Sequence, residues 1–367
     1  LDLYQDALVS QGEAQYSFNL LENTLFVVVG ASQRFVNVGT QGTLMLQTRH
    51  DNMTGVYTQV EYRFTPTLKG VFAARWDRST LHPSQFSPKA AVVWSFLEGH
   101  SLRATFNRAF QSPNYSELFL HVKHPTRPLA YYGNMVENPP GLNGFVSGVQ
   151  PGPLKDMTVE KIMGYEIGYK GVFSNALFLT MDAYFSELTD FVTDLAVGVN
   201  PRFPNTGGIY PGDPITTRTR TIWSYVNAGK AQEAGMEVGA SYYLSDQWLL
   251  RGNYSLYSFE VIEKNLNDVL IPNSPKYRIG GGVTYTHPDG HDAGLNVKYI
   301  PSFDWAAGIF QGKIPSYALI DLSGSYHFSK NIALTLIVSN LLDREHYEIF
   351  GGSLLGRRTV VTAAYSW

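Results

Sequence analysis

The chain has 367 residues, of which only 16% are charged and 14% aromatic, with a formal net charge of -3 and no cysteine. Soluble domains carry about a quarter charged residues; the near-neutral balance offers no electrostatic footprint for nucleic acid, and the missing thiols exclude disulfides, thiolate metal sites and cysteine catalysis. Membrane helices are excluded as well, because even the longest apolar runs, such as Leu25 to Val29, fall far short of the roughly 18 consecutive apolar residues a span requires.

In chain order, the period-two alternation that a strand imposes appears first over Gly12 to Leu21. It resumes after a turn at Glu22 and Asn23 from Thr24 to Val36. A polar connection, near 37–54, follows. Val56 to Phe64 and Lys69 to Asp77 form a second pair around Pro66, and Lys89 to Phe96 with Leu102 to Phe110 a third around Glu98 to His100. Short and long connections alternate strictly.

The strand pattern stops over 111–160, a stretch rich in Pro, Gly, Asn, Tyr and His. Connections of that length are usually functional or disordered. Met163, Tyr165, Ile167 and Tyr169 restart the pattern, and Leu177, Leu179, Met181, Ala183 and Phe185 return it after Ser174 and Asn175. A second long connection occupies 194–221. Beyond it, Met236 to Tyr242 pairs with Trp248 to Leu256, Tyr277 to Tyr285 with Ala293 to Tyr299, and Ala318 to Phe328 with Ile332 to Val338. The last strand, Arg358 to Trp367, stops on an aromatic.

About fifteen strands joined by tight turns and longer loops predict an all-β, antiparallel, up-and-down transmembrane β-barrel. One face of these strands is apolar, with aromatics tending to mark its ends. The other carries Glu166, Lys170, Arg251, Lys298 and Asp321, a poor packed core but a reasonable lumen for water or a plug. Both end strands head towards the short-turn side, so the count is odd. Closed antiparallel barrels of this kind have an even count, and the expectation is that further strands precede Leu1.

Several segments resemble the carboxy-terminal part of TonB-dependent outer-membrane receptors: LRATFNRAFQSPNYSEL (Leu102 to Leu118), TVEKIMGYEIGYK (Thr158 to Lys170), VNAGKAQEAGMEV (Val226 to Val238), IPNSPKYR (Ile271 to Arg278) and VSNLLDREHY (Val338 to Tyr347). In this order they cover most of the chain from about Tyr57 onward. The resemblance implies a barrel of about 22 strands filled by an amino-terminal plug, so that 1–367 reads as the carboxy-terminal portion of that barrel, without plug or TonB-contacting box. It implies TonB-dependent import of a scarce large ligand in the outer membrane of a Gram-negative bacterium. Lipid, lipopolysaccharide, the barrel-assembly machinery and, through the plug region, TonB would be partners. A ferric siderophore is the favoured ligand; haem, cobalamin or an oligosaccharide stay open. The competing readings are a passive porin-like channel and a structural or adhesive barrel.

Candidate ligand contacts fall in the long loops. His121 and His124 sit three apart near Tyr115, Glu117, Tyr131 and Tyr132. Imidazoles suit a metal, but a pair beside Pro125 has no fixed geometry, and no metal site is assigned. A large, partly aromatic, anionic ligand is better matched by the tyrosines with Lys123 and Arg127, assisted by Arg218 and Arg220; the same residues also read as solvated loop. Tyr365 and Trp367 resemble the terminal signal read by the assembly machinery, and equally an interfacial aromatic girdle. With no Gly-x-Ser-x-Gly, His-Glu-x-x-His or phosphate loop, neither enzymatic activity nor a cofactor is expected.

Overall fold

A computed structural model describes residues 4–123, 129–133, 146–147, 157–192, 196–199, 221–264, 270–307 and 310–367. The first four strands are β1 (Asp6–Leu20), β2 (Leu25–Gly39), β3 (Arg49–Thr65) and β4 (Leu68–Arg78). Then come β5 (Gln85–Leu97), β6 (His100–Gln111) and the helix α1 (Tyr115–Phe119). Three short strands follow, β7 (His121–Lys123), β8 (Leu129–Tyr132) and β9 (Val146–Ser147), before the long β10 (Glu160–Phe173) and β11 (Leu177–Val192). The pair β12 (Ala196–Val199) and β13 (Thr221–Ser224) precedes β14 (Asn227–Tyr243), β15 (Trp248–Glu263), β16 (Tyr277–Thr286) and β17 (Asp292–Ile300). The chain finishes with the small hairpin β18 (Phe303–Ala307) and β19 (Phe310–Ile314), then β20 (Tyr317–Ser329), β21 (Ile332–Ser339) and β22 (Arg358–Tyr365).

Fifteen strands form one sheet in the order β1-β2-β3-β4-β5-β6-β10-β11-β14-β15-β16-β17-β20-β21-β22. All its ladders are antiparallel, and β1 and β22 are its two edges. The strand count and the odd parity read from the sequence are both observed. Among the described residues the sheet is therefore open.

Short turns at one end use backbone that suits them: Leu21, Glu22 and Asn23 take positive φ, as do Ser174, Asn175, Gly99 and Gly290. The opposite end carries the long connections, where β7, β8, β13, β12 and β9 build a separate five-stranded sheet.

The two faces differ as the alternation requires. Large apolar side chains such as Val56, Phe72, Trp94, Ile167, Leu250 and Val361 stand exposed on one face, an arrangement that suits lipid. On the other, the register places Arg103 opposite Gly168 and Gly168 opposite Asp182. Arg103 there pairs with Asp182 at 2.9 Å and also with Glu166. Tyr57, from β3, lies over Gly30 of β2, where any Cβ would collide with its ring. Its hydroxyl donates to Glu13 and Gln15 of β1. Arg75 joins this network through Asp77 at 2.7 Å and Ser32 at 3.1 Å.

Three details go beyond the strand pattern read from the sequence. Within 111–160, where that pattern stops, the short helix α1 forms, because Asn114 and Glu117 make a capping box; the all-β class stands. The polar connection near 37–54 is shorter than read: β2 runs to Gly39 and β3 begins at Arg49, the ladder pairing Asn37 with His50. Polar residues such as Asp51 and Asn52 belong to the strand because they pair across it. The hairpin β18–β19 had no counterpart in the sequence reading. It is two short strands of five residues, which a period-two pattern does not distinguish from loop.

Candidate functional site

The long-loop end of the sheet is built around α1. Asn114 accepts the Glu117 amide at 2.8 Å while Glu117 accepts the Asn114 amide at 2.8 Å, satisfying two donors that a helix start leaves orphaned. A helix of five residues has no stability of its own. It is held because Leu118 and Phe119 enter an apolar cluster with Val36, Val38, Met45 and Met157. The Arg49 guanidinium lies 4.1 Å over the Phe119 ring. Gly133 closes against the backbone of Leu118 and Phe119, where no Cβ fits, and donates to Leu120 at 2.7 Å.

The surrounding loops are tied to this cluster by backbone and side-chain bonds. Buried Thr40 accepts the Leu44 and Met45 amides at 3.2 and 2.8 Å, and the Leu44 carbonyl accepts the His121 amide at 2.7 Å. Asp51 gathers Ser79 and Thr80 at 3.0 and 2.6 Å. Asn227 accepts the Thr158 amide at 2.7 Å and donates to the Thr158 carbonyl at 3.0 Å, joining the starts of β10 and β14.

The predicted contact residues separate within this frame. Tyr115 is half-buried against the cluster, and its hydroxyl has no hydrogen-bond partner among the described residues. Burial, with the nearby Asp51 charge, pushes its pKa up to about 12, against the opposing effect of Arg34. Glu117 is engaged in the capping box, and burial raises its pKa against the lowering effect of the Asn114 amide. His121 pairs with Tyr132, and Val122 with Tyr131, in the β7–β8 ladder, which also carries Lys123. The Tyr131 ring sits 6.4 Å from that of Trp223. His124, Arg127, Arg218 and Arg220 lie outside the described residues. At the far carboxy-terminus, Tyr365 and Trp367 are exposed with rings 6.4 Å apart.

Sequence reasoning missed the structural core of this end. The Asn-x-x-Glu spacing of Asn114 and Glu117 was a legible capping signal. Trp223 was not legible as Tyr131's neighbour, because a parallel pairing of β13 with β8 brings them together. A further recess of about 670 Å³ on the charged face is lined by Arg251, Arg278, Lys298, Trp305, Asp321 and Glu348, among others. Such a surface suits a polar, charged occupant.

The family described as TonB dependent receptor-like, beta-barrel matches residues 2–341. The sequence is 24% identical over 281 residues to the ferric enterobactin receptor of Pseudomonas aeruginosa, covering 74% of this chain and 34% of that one. It is 20% identical over 321 residues to a probable TonB-dependent siderophore receptor, PiuA, of Acinetobacter baumannii, covering 80% and 37%. Among solved structures, the FrpB iron transporter of Neisseria meningitidis superposes with a TM-score of 0.70 at 14% identity, over 98% of this chain and 55% of that one. The siderophore receptor PirA of Pseudomonas aeruginosa gives 0.67 at 14% identity, over 99% and 56%. The chain thus spans about a third of the length of these curated relatives.

Proposed function

The chain belongs to the family of TonB-dependent receptor-like β-barrels, and on that premise we propose that it supplies barrel wall and capture loops to an outer-membrane receptor importing a ferric siderophore. Members of the family are outer-membrane β-barrels of Gram-negative bacteria. The observation that carries the reading is the two-faced fifteen-stranded sheet, greasy outside and charged inside, crowned at one end by an organised loop platform. The siderophore comes from the relatives: an enterobactin receptor and a probable siderophore receptor both align over most of this chain.

In this reading Tyr115, Glu117, Tyr131, Tyr132, His121 and Lys123 belong to the capture end, together with His124, Arg127, Arg218 and Arg220. The edges β1 and β22 pair with further strands of the same barrel, since unpaired backbone facing lipid costs several kcal/mol per group, roughly. TonB acts through an amino-terminal plug region, and lipid, lipopolysaccharide and the assembly machinery engage the outside and the carboxy-terminus.

Uptake of radio-iron complexed to a panel of siderophores, in cells with and without the gene, tests this directly. Uptake is expected to need both the gene and TonB, and to fall when Tyr115, Tyr131 and Tyr132 are replaced together. Gene-dependent uptake that persists without TonB would make the protein a passive channel. No gene-dependent uptake of any ferric chelate would remove the siderophore reading.

A further inference from the structure

At the opposite, short-turn end, the turn joining β16 to β17 reads His-Pro-Asp-Gly-His over 287–291. The His287 amide donates to the His291 carbonyl at 2.7 Å, and the Gly290 amide to the His287 carbonyl at 2.8 Å. Gly290 takes φ +89, a conformation that glycine adopts without strain. The turn therefore sets the two histidines opposite one another just beyond the ends of β16 and β17, with Asp289 at the tip between them.

Their rings lie 5.7 Å apart at 24°, and ligand atoms of His287, Asp289 and His291 all fall within 4.8 Å of one another. Donors bound to one metal at about 2.0–2.2 Å lie roughly 3–4 Å apart. Closing the remaining gap needs only small rotations of partly exposed side chains. The His291 ring is held from outside: it stacks on Tyr326 at 4.2 Å and 9°, and its Nδ1 accepts the His327 amide at 3.0 Å. His287 Nδ1 accepts the Asp289 amide at 3.2 Å. Both Nδ1 atoms thus carry lone pairs, which a metal would take over from these two backbone amides. The His327 ring stands 6.1 Å from that of His291, on the neighbouring strand β20.

We propose that His287, Asp289 and His291 bind a divalent transition metal, of the class that favours imidazole with one carboxylate, Zn2+, Cu2+ or Ni2+. The site lies at the short-turn end, away from the capture loops, and stands whether or not the siderophore reading does. Three ligands from one turn leave coordination positions open to water or to His327. Bound metal clamps the β16–β17 turn beside β20. The bland alternative is an aromatic rim in which the imidazoles only stack.

The test is titration of tag-free, chelator-stripped protein in detergent with Zn2+ and with Cu2+, followed by calorimetry and by Cu2+ electron paramagnetic resonance. One equivalent should bind, with nitrogen hyperfine couplings. His287→Ala and His291→Ala should each weaken it by more than about tenfold, since even loss of an outer-shell partner typically costs 10–100-fold. His50→Ala, at the long-loop end, should leave affinity unchanged. Asp289→Asn keeps the backbone amide that holds the turn and should still weaken binding, so a folding defect in the histidine variants does not shelter the proposal. Failure of the parent to bind, or parent-like affinity in the His287→Ala/His291→Ala double variant, overturns it.

Discussion

Leu118→Ala isolates what holds the capture end together. Leu118 is 0% exposed inside the cluster formed with Val36, Val38, Met45, Phe119 and Met157. Truncating a buried leucine costs about 2–5 kcal/mol through lost transfer energy and the cavity left behind. A five-residue helix has little reserve beyond its cap, so the cost falls on local opening of α1 and its neighbours, while the long ladders of the main sheet are untouched. At about 3 kcal/mol the opening equilibrium rises roughly 150-fold. Hydrogen exchange reads this at the amides of Leu118, Leu120, His121 and Gly133, which bond to Asn114, Ser116, Leu44 and Leu120 respectively. Protection there should fall by about that factor, with β10 and β11 unchanged. Unchanged protection at these amides would mean that α1 is not anchored by the cluster. An equal loss throughout β10 and β11 would mean that the loop end is no separate unit of stability.

Tyr115→Phe removes a hydroxyl that is buried without a partner among the described residues, so protection at this end should stay level or rise by up to about 1 kcal/mol. The same tyrosine sets an alkaline limit. Its pKa is raised on folding, from 10.0 to about 12, so its contribution is complete below pH 10 and is lost as pH rises through about 12; exchange followed across this range should show the loss in the parent and not in Tyr115→Phe. Asn114→Ala deletes the cap and should cost the α1 amides about 1 kcal/mol, and no loss would deny the cap its role. Arg103→Gln leaves Glu166 and Asp182 facing each other on partly exposed wall, and should lower stability by no more than about 1 kcal/mol; a much larger loss in denaturant unfolding would mean that the charged face is dry. Deleting Trp367, which is fully exposed at the terminus, should reduce heat-modifiable barrel in the outer membrane, and normal yield would leave the residue to the aromatic girdle.

The main sheet was legible because its information is local. A strand that faces lipid on one side and water on the other must alternate, and that period shows in β10, β11 and β20 without knowledge of their neighbours. Ends were less legible: Asn52 of β3 is polar yet extends the strand because Phe35 of β2 pairs with it. Within the loops, residue type alone proposed tyrosines, histidines and arginines as contacts without ranking them, since composition is blind to burial. The cluster shows what it missed: Glu117, read as a contact, also caps a helix, and Tyr115, read as a contact, is pinned against Leu118's neighbours.

By itself, then, the sequence determined the class of fold, the number of strands in the wall, the odd parity and which residues share each face. All of these follow from a two-residue period and from turn chemistry acting over a few residues. Only the tertiary structure decided which distant residues meet. Tyr131 beside Trp223, Arg103 between Glu166 and Asp182, and His291 against Tyr326 depend on the register of ladders whose partners lie tens of residues apart. Slipping one such ladder by a single residue would turn each side chain to the opposite face. No local pattern contains that choice; it is made where the strands are packed against one another.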